Sequence, residues 1–387
     1  MFEMGHNIIR AKLKNKSLVL EFLIRFGPLS RQQISNMLKL TPATITNLTS
    51  ELIEDGLIWE IGEVNHEIPR VGRKSVLLDV KRDAVKVLGV HLRLDSVEMG
   101  IVNLQGQTAD IEQFDLPISF TENNCMKILS EKIRFYGKKH DLDFADGIGV
   151  GSSGLVNVER GTVTARARGW ENTPLASYLQ RELEVPVYLD NNVRAMAIAE
   201  HLYGEYRDIS NFLFIYVGRG VGAALVLNGN VYENGPTGGG EFGHITYLNN
   251  GKVCWCGNRG CVERYASEGA IMEDLGHISK DEMIVRLEEH DSEVWKAVRN
   301  AGEVIGTALA SFVNMVHVEH VVLGGALASD DYPLADRVRQ VVDDRSFLAR
   351  LDPVDVTVSR FGDGVGVVGA GSLALLHSVI RQNRVCE

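Results

Sequence analysis

Apolar and polar positions in the first eighty residues follow a helical period and then a strand period. Residues 17–26 place apolar side chains at helical spacing and are followed by Gly27-Pro28, which predicts a helix that stops there. Ser30 and Gln33 have the spacing of a capping box, which predicts a second helix. Thr41-Pro42 combines an N-cap with proline at the first helical position. We therefore expect three consecutive helices.

The third predicted helix has one apolar face and one face that is polar but uncharged. The apolar face holds Ile45, Leu48, Leu52 and Ile53, and the other face holds Ala43, Thr44, Thr46, Asn47 and Ser50. A recognition helix inserts a face of small polar residues into the major groove. An ordinary surface helix is the alternative, although such helices usually carry more lysine and glutamate. The candidate DNA contacts are Thr41, Thr44, Thr46 and Asn47.

Two strand-like segments, 57–61 and 75–80, complete this region. The loop between them contains Arg70, Arg73 and Lys74 around a glycine. Such a loop can lie along a narrow minor groove, where the electrostatic potential is most negative. The pattern predicts a winged helix-turn-helix domain over residues 1–82, with Arg70, Arg73 and Lys74 as further candidate DNA contacts.

The rest of the chain, residues 83–387, alternates strand-like runs with helical segments. Several of these runs end in glycine-rich turns, at residues 149–154, 218–222, 324–325 and 362–366. This alternation is typical of an α/β fold with ligand sites at the strand ends. Four such turns suggest a cleft between two related lobes.

Charge is distributed unevenly along the 387 residues. The net charge is −11, yet residues 1–50 hold seven basic and two acidic side chains, so the remainder carries −16. A basic N-terminal region, the head, followed by an acidic remainder, the body, suggests that only the head contacts phosphate groups. The alternative is that the basic residues form an ordinary solvated surface. We find no secretory segment and no apolar run of membrane-spanning length, so we expect a cytoplasmic protein without a membrane partner.

A cysteine cluster provides the most specific chemical signal. Cys254, Cys256 and Cys261 lie within eight residues, and His244 precedes them by ten. Three thiolates and one imidazole form the tetrahedral set that Zn²⁺ prefers. The alternatives are a disulfide and a trio of small buried cysteines. A disulfide is disfavoured because cytosolic thiols stay reduced. Cys125 and Cys386 lack metal-like spacing.

These motifs resemble the ROK family (repressors, open reading frames, kinases) over nearly the whole chain. The segment 241–244 together with the three cysteines is that family's most distinctive signature. The resemblance implies a two-lobed actin/hexokinase-like domain over 83–387, with a zinc loop at about 241–263. It also implies a set of side chains around the hydroxyls of a sugar: Asn191, Asn192, Glu241, His244 and Glu263. For Glu263, an ordinary helix N-terminal acid is the alternative.

The same resemblance indicates whether this chain is a sugar kinase or a sugar sensor. Kinases of this fold carry an Asp-x-Gly-x-Thr type hairpin after their first strand. In this chain the expected Asp falls on His91, two expected glycines fall on Arg93 and Leu94, and the expected Thr falls on Asp95. Their general base is an aspartate in Asn-Asp-x-Asn, where this chain has Asn192 and, two residues later, Arg194. Arg219 stands where such kinases favour threonine. An amide cannot accept a proton at neutral pH, so turnover is not expected.

The sequence therefore predicts a sugar-responsive transcriptional regulator, a repressor of carbohydrate-utilisation genes rather than an enzyme. It should bind operator DNA, a small sugar and Zn²⁺, as a homodimer or higher homo-oligomer. An ATP-dependent sugar kinase and a sugar-independent DNA-binding protein with a decayed body remain alternatives. The effector sugar and the direction of the response are not determined, although residues 265–268 resemble the xylose-repressor branch.

Overall fold

The N-terminal head consists of three helices and a small antiparallel sheet of order β1-β3-β2. The protein is described by a computed structural model that covers residues 2–63, 76–233 and 239–381. The elements of the head are α1 (Phe2–Phe26), β1 (Leu29–Ser30), α2 (Arg31–Leu38), α3 (Pro42–Glu54), β2 (Ile58–Glu63) and β3 (Val76–Val80). The predicted wing residues Arg70, Arg73 and Lys74 lie outside the described residues.

The caps in the head are those that the sequence predicts. The Ser30 hydroxyl accepts the Gln33 backbone N–H, and the Gln33 side chain accepts the Ser30 N–H at 2.8 Å. The α1 helix is longer than residues 17–26, because its first turns are helical without apolar periodicity. Lysines stabilise those turns by pairing with α3: Lys12 lies 2.7 Å from Glu51, and Lys16 lies 2.6 Å from Asp55.

The body contains two five-stranded sheets with related topology. The first lobe comprises β4 (Lys86–Leu92), β5 (Ser96–Asn103), β6 (Thr108–Asp115), α4 (Glu122–His140), β7 (Ile148–Ser152), β8 (Leu155–Asn157), β9 (Thr162–Ala165), β10 (Trp170–Thr173), α5 (Leu175–Leu183), β11 (Val187–Asn191) and α6 (Asn192–Tyr203). The second lobe comprises β12 (Phe212–Val217), β13 (Val221–Leu227), β14 (Asn230–Val231), α7 (Glu263–Ala266), α8 (Glu268–Asp274), α9 (Lys280–Glu288), α10 (Ser292–Met315), β15 (His320–Gly324), α11 (Pro333–Arg345) and β16 (Asp355–Val358), and α12 (Val365–Leu375) follows it.

The strand orders, β11-β7-β4-β5-β6 and β14-β13-β12-β15-β16, place the first strand of each lobe at the centre. In both sheets this central strand pairs antiparallel with the second strand and parallel with the fourth. The prediction of two related lobes is confirmed. The sequence pattern does not predict β6, because most of its side chains are exposed and its apolar positions are few.

The α12 helix returns from the second lobe and packs on the first. Residues 362–380 form the one helical segment of the described chain that is long and apolar enough to cross a membrane, and 72% of its apolar window is buried inside the protein. Two glycines of the sheet allow its close approach. A Cβ on Gly149 would lie 1.7 Å from the carbonyl oxygen of Ala370, and one on Gly89 would lie 2.3 Å from that of Val367. The segment is a core helix.

The head and the body share one hydrophobic core. Leu20 and Leu23 of α1 are buried in the same cluster as Leu202 and Tyr203, which end α6. The Arg25 guanidinium adds a polar contact, since its Nε donates to the Arg207 carbonyl at 3.1 Å. The head is therefore packed against the first lobe rather than tethered to it.

Candidate functional site

A cavity of about 960 Å³ lies in the cleft between the lobes. All five predicted sugar contacts, Asn191, Asn192, Glu241, His244 and Glu263, are among the residues that line it. They come from the end of β11, the start of α6, the loop after residue 239 and the start of α7. Segments that are up to 72 residues apart in sequence, from 191 to 263, thus meet at one site.

The side chains of Asn191 and Asn192 already form hydrogen bonds with other groups of the protein. The Asn191 side-chain oxygen caps α6 by accepting from the backbone N–H groups of Val193 at 2.9 Å and Arg194 at 3.3 Å, and its amide donates to the Gly154 carbonyl at 3.0 Å. The Asn192 amide lies 3.3 Å from His91 Nε2. Asn191 therefore has one amide N–H left for a ligand, and it positions the start of α6.

The carboxylates of Glu263 and Glu241 differ in how many hydrogen bonds they accept from the protein. Glu263 Oε2 accepts from the Val221 N–H at 3.2 Å, and Oε1 accepts from the Trp255 indole at 2.5 Å. Glu241 faces the cleft, and its Oε2 lies 3.8 Å from His244 Nε2. Desolvation by the cleft walls raises the pKa of Glu241, and the nearby Glu263 adds to this effect. Glu241 is thus the freer acceptor for a hydroxyl group.

The predicted metal ligands converge. One ligand atom from each of His244, Cys254, Cys256 and Cys261 lies within 4.8 Å of all the others. Cys254 Sγ lies 3.6 Å from His244 Nδ1, and Cys256 Sγ lies 3.7 Å from Cys261 Sγ. Tetrahedral ligands at zinc distances lie about 3.3–3.8 Å apart, so these pairs fit one ion. The four residues could hold a metal ion, with His244 Nε2 directed towards Glu241.

A charged network fills the position at which the family resemblance implied phosphate binding. His91 is only 1% exposed and its Nδ1 lies 3.6 Å from Glu98, while Arg93 pairs with the same carboxylate at 2.9 Å. Asp363 lies 3.6 Å from Arg93 and 2.9 Å from Lys280 of α9. Desolvation lowers the pKa of His91. Although burial opposes it, Arg93 and Lys280 hold the pKa of Asp363 below its usual range.

Several of these residues were not identified from sequence. Lys280 and Asp363 are 83 residues apart and have no motif that would link them. Asp190 and Arg194 form a buried ion pair beneath the asparagines, with Arg194 Nε 2.7 Å from the carboxylate. Their i,i+4 spacing at the start of α6 was the available signal.

The exposed face of α3 is the candidate DNA surface. Thr41 caps the helix, its hydroxyl lies 2.9 Å from that of Thr44, and the Thr46 hydroxyl donates to the Pro42 carbonyl at 2.9 Å. Asn47 is exposed and has no side-chain hydrogen bond to another described residue. Asn47 is therefore the side chain of this group that is best able to exchange water for a base edge.

The positive charge of the head is smaller than residues 1–50 suggest. Residues 51–82 hold five basic and seven acidic side chains, so the net charge of residues 1–82 is +3. Lys12 and Lys16 already pair with acids of α3, as described above, and Arg31 lies 2.9 Å from Glu60. The charge of the head therefore favours phosphate contact less strongly than residues 1–50 alone suggest.

Comparisons with known proteins agree with this architecture. The model of the ROK family matches residues 87–377. The xylose repressor of Caldicellulosiruptor bescii is 29% identical over 393 aligned residues, which cover 96% of this chain and 98% of the relative.

Two solved structures match different shares of the chain. A ROK family transcriptional regulator, a homologue of the Escherichia coli MLC protein, matches with a TM-score of 0.77 and 26% identity, over 96% of this chain and 98% of its own. A ROK family glucokinase from Streptomyces griseus, solved with glucose and AMPPNP, matches with a TM-score of 0.68 and 22% identity. This match covers 75% of this chain and 99% of the glucokinase. The regulator thus matches nearly the whole chain, whereas the kinase matches three quarters of it.

Proposed function

The chain belongs to the ROK family, and we propose that it is a sugar-responsive, DNA-binding transcriptional repressor whose kinase-like body binds a sugar without phosphorylating it. Residues 1–82 are the proposed DNA-binding domain and residues 83–387 the proposed sugar-binding domain. The observation that carries the proposal is Asn192: an amide, 3.3 Å from His91, stands where the family resemblance implies the catalytic base, and it lines the same cavity as the other proposed sugar contacts.

The charged network supports the absence of phosphotransfer. In kinases of this fold an aspartate and glycines after the first strand admit Mg²⁺ and phosphates. At the matching position here, His91 lies beside Glu98 and Arg93 beside Asp363. An arginine and a buried neutral histidine do not bind Mg²⁺, which requires oxygen ligands. Both the metal-handling group and the base are therefore missing.

Zinc is the proposed resident metal. The donors His244, Cys254, Cys256 and Cys261 are the nitrogen and sulfur ligands that Zn²⁺ prefers, and four protein ligands leave no open position for a substrate. Bound zinc would have a structural role. It would hold the loop that runs from Glu241 to Glu263, so that both carboxylates face the same cavity.

The α6 helix offers a direct connection from the sugar to the head. It begins at Asn191 and Asn192 in the cleft, and its last residues, Leu202 and Tyr203, are buried in one cluster with α1. A sugar that changes how the lobes close would move α6 and hence the head. In a homodimer, this movement would change the spacing of two recognition helices over a palindromic operator. Cytoplasmic location and dimeric assembly are part of the proposal.

No phosphotransfer from ATP should be detected with D-xylose, D-glucose or N-acetyl-D-glucosamine. The physical reason is the missing carboxylate at Asn192 and the histidine at position 91. A coupled assay with ATP and Mg²⁺ measures it, and the Asn192→Asp variant tests whether the base alone is lacking. Turnover above about 1 s⁻¹ by the purified wild-type protein lies in the ordinary enzyme range and would favour the kinase alternative.

Asn47→Ala should relax sequence preference in DNA binding. A good base contact contributes about 1–3 kcal/mol of discrimination, so the preference for one base pair should fall by roughly 5- to 150-fold. The measurement compares the affinities for an operator selected in vitro and for single-base variants of it. The control is Asn300→Ala, an exposed asparagine on α10 in the body. Equal preferences in wild type and Asn47→Ala would remove α3 from base recognition.

A further inference from the structure

Trp255 is an apolar side chain in an unusual position. It lies between two of the metal-binding cysteines, lines the cleft cavity and is 54% exposed. A large aromatic residue is ordinarily buried in a core or in an interface. Here its exposed surface faces the cavity that also contains the carboxylates Glu241 and Glu263.

The orientation of the indole is set by two neighbours. Its Nε1 donates to Glu263 Oε1 at 2.5 Å. Its ring meets the His244 ring edge-on, with 4.8 Å between centroids and an interplanar angle of 80°. The loop further restrains the indole, because residues 254 and 256 belong to the metal cluster. Trp255 is thus held in a defined position relative to three of the proposed sugar contacts.

A site that binds a sugar ring needs more than side chains that accept hydrogen bonds from its hydroxyl groups. A pyranose has a rim of hydroxyl groups and flatter faces that expose C–H groups. Glu241, His244 and Glu263 suit the rim, and an aromatic surface suits a face, as in pockets where a few polar groups orient a ligand against apolar walls. Trp255 is the exposed aromatic side chain beside these acceptors in the described cavity wall.

We propose that Trp255 is a sugar-contacting residue: its indole packs against a C–H face of the sugar, and its Nε1–H holds the Glu263 carboxylate in place for the hydroxyl rim. This inference rests on the proposed function, because it presumes a sugar in the cleft. Trp255 would thus have two roles that substitutions can separate: packing against the sugar and positioning Glu263. A phenylalanine could retain the packing but could not hold Glu263.

Titration calorimetry of the full-length, zinc-loaded protein tests the assignment with D-xylose, D-glucose and N-acetyl-D-glucosamine as probes. Trp255→Ala should weaken the tightest of these interactions by about tenfold or more, because an aromatic contact surface is lost. Trp255→Phe should weaken it less. The control is Trp59→Phe, because Trp59 is 50% exposed and lies on β2 in the head. The sugar affinity of the Trp59→Phe variant should equal that of wild type.

Intrinsic fluorescence provides a readout that a purely structural role would not change. The chain has four tryptophans. Sugar should alter the emission of wild type and Trp59→Phe, and the Trp255→Phe variant should lose most of that change while keeping its zinc and its melting temperature. Zinc content and melting temperature, measured in each variant, identify any variant that has failed to fold.

Three outcomes would overturn the inference. If wild type binds a probe and both Trp255 variants bind it equally well, the inference alone is wrong. If Trp255→Ala changes the oligomeric state at unchanged sugar affinity, the indole belongs to an interface between copies of the chain. If wild type binds none of the probes, the proposed function is contradicted and this inference with it.

Discussion

Cys256→Ser is expected to remove the proposed zinc from the protein and to abolish the proposed response to sugar. Zinc content should fall from about one ion per chain towards zero, because a structural site needs all four ligands. Apparent zinc affinities of structural sites correspond to about 10–16 kcal/mol, so this is the largest effect expected. Without the ion, the segment between Glu241 and Glu263 loses the restraint that directs both carboxylates into the cavity. Elemental analysis, melting temperature and sugar affinity measure the three consequences.

A second cysteine provides the matched control. Cys125 is buried in the first lobe, outside the metal cluster, and its Sγ lies 3.6 Å from Arg168. Cys125→Ser makes the same chemical change and should keep the zinc and the sugar response. A full complement of zinc in Cys256→Ser, or a disulfide and no metal in wild-type protein purified under reducing conditions, would contradict the assignment of the cluster.

Glu241→Ala is expected to raise the sugar concentration needed for the proposed response by roughly 10- to 150-fold and to leave DNA binding without sugar unchanged. A hydrogen bond to a charged group contributes about 1.5–3 kcal/mol, which corresponds to that range. The variant should fold, because within the described residues the Glu241 carboxylate accepts no side-chain hydrogen bond and lies 3.8 Å from the His244 ring. Operator affinity as a function of sugar concentration is the measurement.

Two further variants sharpen this test. Glu241→Gln keeps the shape and one acceptor oxygen, so its loss should be smaller than that of Glu241→Ala. Glu289→Ala removes an exposed carboxylate of the second lobe, outside the cavity, and should respond as wild type does. A wild-type response in Glu241→Ala, with zinc retained, would place the effector site elsewhere and leave Glu241 as a structural residue beside the metal cluster.

The sequence by itself determined those features that depend on neighbouring residues. The capping box at Ser30, the N-cap at Thr41 and the helix stop at residues 27–28 are local hydrogen-bonding and steric rules, and the structure contains them. The metal cluster was predictable because three of its four ligands lie within eight residues and the fourth is ten residues away. The alternation of strands and glycine turns likewise predicted two lobes, since each strand is bounded by its own turn residues.

Tertiary structure alone decided how distant segments complete the site. The network that joins Arg93, Lys280 and Asp363 brings together residues that are 187 and 83 positions apart. The contact between the end of α6 and α1, and the hydrogen bond from Trp255 to Glu263, likewise have no periodic signal in the chain. Their geometry depends on which strands pair and where α12 packs. Those choices are made by burial of apolar surface summed over the whole core, which no local pattern specifies.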